Sequence, residues 1–311
     1  MPISPHGPPG PVGPGGPARP DSRDDSGGPA RPDNSGGPSL LAVSDLHVGF
    51  AENRELTDRL RPASPEDWLI VAGDVGEFAA DIEWALGTLR ERFAQVIWVP
   101  GNHELWTHRR EPLLLRGVER YEHLIAMCRR LGVHTPEDHY LTWDQPGAGP
   151  VVIAPLFLLY DYTFLPDGAT TKAEALACAS AAGIIANDET LLHADPYPAK
   201  EDWCAARLAQ TEVRLTALPP GTPTVLVNHF PLVREPTRVL RYPAFAQWCG
   251  TTRTADWPRR FGAVAVVYGH LHIPRTIWHD GIRHIEVSLG YPREWRRRER
   301  APVIPRRILP E

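Results

Sequence analysis

Five apolar runs in this chain each break off at a polar tip, and no other feature constrains the fold as strongly. They are "SLLAVSDLH" (39–47), "DWLIVAGDVG" (67–76), "AQVIWVPGNHELW" (94–106), "PTVLVNHFPL" (223–232) and "GAVAVVYGHLH" (262–272). Each is too short for a helix and reads as a buried strand. Between the second and third, "DIEWALGTLRERF" (81–93) places Ile82, Ala85, Leu89 and Phe93 at helical spacing, and 116–131 reads as another amphipathic helix. "GPVVIAPLF" (149–157) adds a strand, and "RTIWHDGIRHIEVSLG" (275–290) reads as two strands joined by an Asp-Gly turn. Strand–helix alternation predicts an α/β layered fold, and the closing hairpin makes its sheets mixed. In such folds ligands bind in the crevice beyond the C-terminal strand ends.

The tips carry Asp45 and His47, Asp74, Asn102 and His103, His229, and His270 with His272. Taken singly, an Asp after a strand is most often a cap or an Asx-turn, and a lone His is most often a packed core or surface residue. Taken jointly, the two carboxylates, one carboxamide and, His103 aside, four imidazoles exceed what one tetrahedral ion uses. Oxygen and imidazole donors without thiolate suit a pair of borderline ions such as Fe, Mn or Zn, not Ca or a structural zinc. Seven ligands serve two ions if one carboxylate bridges, the arrangement of two-metal phosphoryl-transfer sites.

In order, "SDLH", "GDVG", "GNHE", "NH" and "GHLH" resemble the signature of the calcineurin-like metallophosphoesterases, over residues 44–272. The resemblance implies two packed mixed β-sheets flanked by helices, a four-layer α/β/β/α sandwich. It implies that Asp45, His47 and His272 hold one ion, that Asn102, His229 and His270 hold the other, and that Asp74 bridges them. A metal-bridging hydroxide would attack phosphorus in line, and His103, off the metals, would protonate or stabilise the leaving oxygen. Neutral ligating histidines imply that metal affinity falls below about pH 6.

Three aromatic- and arginine-rich segments, 157–176, 242–261 and 287–300, carry a narrower resemblance. Together with "ASPEDWLIVAGDVGE", "VIWVPGNHELW" and "FLLYDYTFLP", they are similar to the actinobacterial phosphopantetheinyl hydrolases. That resemblance implies removal of 4′-phosphopantetheine from holo-acyl carrier proteins, with an Fe/Mn pair (Zn the other option). The alternatives within the same chemistry are nucleotides, other phosphoesters or phosphoproteins. Carrier proteins are acidic, so Arg293, Arg296, Arg297 and Arg298 are candidates for docking one, against the plainer reading of a solvated basic end.

Composition narrows the partners. Net charge is −5 and the arginines cluster at one end, which argues against a nucleic-acid-binding surface. Four scattered cysteines (128, 178, 204 and 249) form no C-x-x-C pair and read as free thiols in a reducing cytoplasm. No apolar run approaches the ~18 residues of a membrane span, so a cytoplasmic location without membrane contact is expected. Residues 1–38, rich in Pro, Gly, Ser and Asp, read as a disordered tail. Residues 39–311 then form one catalytic domain, with a helical insertion at 158–215 and a basic segment at 293–311. A vestigial, non-catalytic interaction module would require a ligand set with losses, and none is missing.

Overall fold

Side-chain alternation along the short strands decides how the layers stack. The computed structural model describes residues 37–145, 149–298 and 303–310. Its strands are β1 (Leu40–Val43), β2 (Trp68–Val71), β3 (Gln95–Trp98), β4 (Leu141–Gln145), β5 (Gly149–Pro155), β6 (Thr224–Val227), β7 (Ala263–Tyr268), β8 (Thr276–His279), β9 (Ile282–Glu286) and β10 (Arg306–Leu309). They form two sheets, β10-β1-β2-β3 and β4-β5-β6-β7-β9-β8. The centres are parallel, while β10, β4 and β8 pair antiparallel.

In the first sheet, Leu40, Ala42, Ile70, Ala72, Ile97 and Val99 point one way. They pack with Ile153, Val225, Val227, Ala265, Val267, Ile285 and Val287 of the second sheet. The alternate residues Leu41, Val43, Leu69, Val71, Val96 and Trp98 join a different cluster with Ile82, Leu86 and Leu89. Period-two alternation therefore gives each strand one face toward the other sheet and one toward helices. Burying a Val, Leu or Ile contributes about 1.5–3 kcal/mol, so four-residue strands hold when both faces are covered. The helices are α1 (Ala51–Arg59), α2 (Ala79–Arg90), α3 (Gly117–Leu131), α4 (Lys172–Ala181), α5 (Asp188–Leu191), α6 (Lys200–Thr216), α7 (Trp257–Arg260) and α8 (Pro292–Trp295).

The expected hairpin is β8–β9, turning through Asp280 (φ 50°) and Gly281 (φ 75°). Two strands were not foreseen. In β4, Trp143 is the deeply buried apolar residue of "LTWDQ", too weak a pattern to read as a strand. In β10, Ile308 and Leu309 are buried beside β1, inside a tail whose arginines had suggested a solvated end. The segment 158–215 carries α4, α5 and most of α6. The proposed tail lies, up to residue 36, outside the described residues, as do positions 299–302 of the basic segment. Among the described residues, no helix is long and apolar enough to cross a membrane.

Candidate metal centre

The two sheets meet where their parallel strands end. Ser44, just past β1, bridges to Ser288, just past β9, and the Leu289 N–H donates to the Ser44 carbonyl. Asp45, His47, Asp74, His270 and His272 all sit at these ends with positive φ, between 41° and 69°. That region costs about 1–3 kcal/mol for a residue with a Cβ, and five such residues in one place mark a site whose surroundings hold them against strain. Gly269 is not itself left-handed. Its role is proximity: a Cβ there would overlap Asp45 Oδ2 and Ser44 Oγ, so the turn belongs to the histidines and the glycine supplies the space. Gly101 does the same for Asp74.

These tips converge in overlapping groups. Asp45, His47 and His272 offer ligand atoms within 4.8 Å of one another, as do Asp74, His229 and His270, and also His47, Asp74 and His103. Asp74 thus stands between the groups, with its Oδ2 3.4 Å from His229 Nε2 and 3.7 Å from His103 Nε2. In the first group His47 Nε2 lies 3.2 Å from His272 Nε2, which lies 3.0 Å from Asp45 Oδ1. In the second, His229 Nε2 and His270 Nε2 are buried with no hydrogen-bond partner, as is Oδ1 of Asn102, which lines the same cavity as His270. An unpaired buried polar atom costs about 1–3 kcal/mol, so three at one place need a common ligand. Neutral nitrogens and carboxylate or carboxamide oxygens with no sulfur fit a pair of borderline cations.

Further residues set which atom each ligand presents. His229 Nδ1 donates to the Ala72 carbonyl at 2.8 Å, which leaves Nε2 as the lone-pair nitrogen. His272 Nδ1 donates to Glu294 Oε2 at 2.7 Å, with the same result. Asn102 Nδ2 donates to Asp188 Oδ1 at 2.9 Å, so its Oδ1 faces the cavity that Asn102, Asp74 and His270 line together. Asp45 Oδ2 accepts from Ser44 Oγ (2.5 Å), Ser288 Oγ (2.7 Å) and the His270 N–H (3.1 Å). Glu104 accepts from the N–H groups of Asp74, Val75 and Gly101, locking the second and third tips together. Such outer partners fix tautomer and orientation.

Between the protein's own groups the electrostatics divide the imidazoles. Burial, with His229 beside it, pushes His270 down to about 3. Burial also opposes charge on His229, but Asp74 and Asp45 outweigh it and raise that histidine to about 10. His103 is held above its ordinary value because Asp74 and Glu77 overcome its burial. Its Nδ1 lies 3.3 Å from Glu77 Oε1, and its ring packs on Trp106 at 3.7 Å. The Tyr291 hydroxyl reaches its Nε2 at 3.4 Å, and the Tyr291 ring stacks on His47 at 4.4 Å.

All eight tip residues read from the sequence come together. The four arginines do not act alike. Arg293 is exposed and borders the cavity. Arg296 pairs with Glu52, Arg298 donates to the His272 carbonyl at 3.2 Å, and Arg297 is exposed. Sequence reading passed over Asp188, Glu104, Glu294 and Tyr291. Glu104 stood in plain view in "GNHE", and Glu294 lay among the arginines of "YPREWRRR". Asp188 comes from the helical insertion with no local signal at all.

The calcineurin-like phosphoesterase model matches residues 38–274. The acyl-carrier-protein phosphodiesterase PptH of Mycobacterium tuberculosis (strain ATCC 25618 / H37Rv) is 55% identical over 274 residues, 88% of this chain and 84% of that protein. The crystal structure of phosphopantetheinyl hydrolase (PptH) from Mycobacterium tuberculosis superposes with a TM-score of 0.85 at 54% identity, covering 88% of this chain and 96% of that one. A matched family model over most of the folded chain, and a four-layer sandwich carrying every tip of the signature, assign the protein: it belongs to the calcineurin-like phosphoesterase family.

Proposed function

We propose that this protein is a binuclear-metal phosphodiesterase that hydrolyses the bond between 4′-phosphopantetheine and the serine of a holo-acyl carrier protein. The observation that carries the reaction class is the convergence of orphaned Nε2 and Oδ1 atoms with Asp45 and Asp74 at the strand ends. The likeness to PptH over 88% of the chain supports the substrate. In this reading Asp45, His47 and His272 hold one cation, Asn102, His229 and His270 hold the second, and Asp74 serves both. Iron and manganese suit the donor set, with zinc as the other option. Two cations at such a site polarise phosphoryl oxygens and make water acidic enough to act at neutral pH.

The remaining work falls to the chain. Asp188 and Glu294 orient Asn102 and His272 through the 2.9 and 2.7 Å hydrogen bonds. His103, with Nδ1 toward Glu77, holds a proton on the nitrogen that faces the cavity and delivers it to the departing serine oxygen. The packing of Trp106 on His103 keeps water from one side of that imidazole. The catalytic unit is residues 39–311, working in the cytoplasm, where carrier proteins are modified. Arg293, exposed at the cavity rim, is the docking arginine of choice for an acidic carrier, and Arg297 is exposed four residues on.

The test is mass spectrometry of holo-carrier protein incubated with metal-loaded enzyme. Loss of one phosphopantetheinyl group, leaving a serine hydroxyl, is the expected result. Intact holo-carrier, with a simple aryl phosphodiester hydrolysed in parallel, would keep the reaction class and discard this substrate.

A further inference from the structure

The cleft at the strand ends is two cavities, not one. The larger, ≈540 Å³, has candidate ligands Asp74, Asn102, His270 and His272 in its wall. The smaller, ≈410 Å³, contains none of the candidate metal ligands. His103, Trp106, Asn187, Tyr291 and Arg293 line both, so they form the seam. The Tyr291 hydroxyl, 3.4 Å from His103 Nε2, stands on that seam.

The far walls differ in chemistry. The larger cavity is also walled by Ile185 of the helical insertion and by Leu240, Tyr242, Phe245 and Ile273, with the Phe245 ring 5.6 Å from that of His270. Ile185 is 87% exposed and Tyr242 50% exposed, so neither is held there by the protein's own core. Burying such side chains against a ligand is favourable, and this apolar wall beside the cations suits a chain of methyl, methylene and amide groups. The smaller cavity is bordered by Phe50, which is 47% exposed, and by Arg296 with its partner Glu52.

A phosphodiester has two different substituents, and hydrolysis treats them differently. Water adds to phosphorus, the P–O bond to serine breaks, and the serine oxygen takes a proton. The phosphate remains on the pantetheine half. The retained half would stay by the candidate metal ligands, while the leaving oxygen must face the proton donor His103, which also lines the cavity that none of those ligands borders. We infer that the larger cavity holds the 4′-phosphopantetheine half of the diester, that the smaller receives the carrier serine and its flanking residues, and that the scissile bond lies across the His103–Tyr291 seam. This assignment rests on the carrier-protein reading above and adds direction to it.

Titration calorimetry of the metal-loaded full chain against 4′-phosphopantetheine, and separately against apo-acyl carrier protein, tests the assignment without turnover. Each variant is first shown to keep the wild-type metal content and melting temperature. Ile185→Glu and Tyr242→Ala are expected to weaken 4′-phosphopantetheine about five-fold or more and apo-carrier less than about two-fold, since loss of one buried contact above 1 kcal/mol has that size. Phe50→Ala and Arg296→Ala are expected to do the reverse. A swapped pattern, or both ligands weakened equally by both sets, overturns the partition. Wild-type protein that binds neither ligand removes the carrier-protein reading itself and the partition with it, a result separable from mis-sorted variants.

Discussion

His270 and His284 make the instructive pair. Both are buried imidazoles on the second sheet with unpartnered ring nitrogens. Burial holds both below the ordinary histidine value, His270 at about 3 and His284 at about 4. Yet His270 stands at the tip of β7 within 4.8 Å of ligand atoms from Asp74 and His229, whereas His284 sits inside β9 with the His279 ring 5.9 Å away and, among the described residues, joins no cluster of candidate metal ligands. An orphaned nitrogen alone therefore marks no site. What separates the two is position along the strand: only at its C-terminal end do several strands present side chains to one volume.

If that contrast is right, metals should leave and return at one end of the sheets only. Chelation followed by dialysis is expected to abolish turnover, and added Fe or Mn to restore it; elemental analysis would check two ions per chain. His270→Ala should cost at least about a thousand-fold in kcat/KM and release one of the two ions, more than the ~10–100-fold expected of an outer partner. His103→Ala should lower kcat by about 10²–10⁴ while both metals stay, which elemental analysis and steady-state kinetics separate. Metal loss with His103→Ala would make it a ligand. Asp188→Asn and Glu294→Gln should each weaken metal binding by about 10–100-fold, one ion each, measurable by competition with a chelator.

The smallest effect on metal binding and turnover belongs to His284, which acts on stability alone. Its folded-state value, about 4, lies below its ordinary 6.5, because burial and the nearby His279 outweigh Asp280. The unfolded chain therefore binds the extra proton first. The stability held above pH 6.5 declines as pH falls toward 4, by on the order of 3 kcal/mol, and then levels off. Denaturant melts of His284→Leu should show a shallower decline over that window with metal content untouched. Metal loss in that variant would erase the distinction between the two histidines.

Much of the centre was legible from the chain because its candidate ligands lie two to four residues past strand ends, where an apolar run announces the strand and a polar tip its end. Asp45, His47, Asp74, Asn102, His229, His270 and His272 needed no long-range knowledge to be gathered as one set. Asp188 was not legible: it lies 86 residues from Asn102, in a helical segment with no pattern of its own. β10 hid for a related reason, since Ile308 and Leu309 are two apolar residues among arginines, and only pairing with β1 makes them a strand. The role of Gly269 was not legible either, because a glycine's space is defined by what approaches it, here Asp45 and Ser44.

What the chain alone made readable was the central strands and the candidate ligands at their tips, since period-two burial and strand termini are local properties. It took the folded molecule to show which nitrogen of His229 and His272 faces the centre, which arginines border the cleft and how the cleft divides at His103 and Tyr291. Those outcomes depend on distant partners such as Glu294 on His272 and Ala72 on His229, and contacts across 22 or 157 residues leave no local trace.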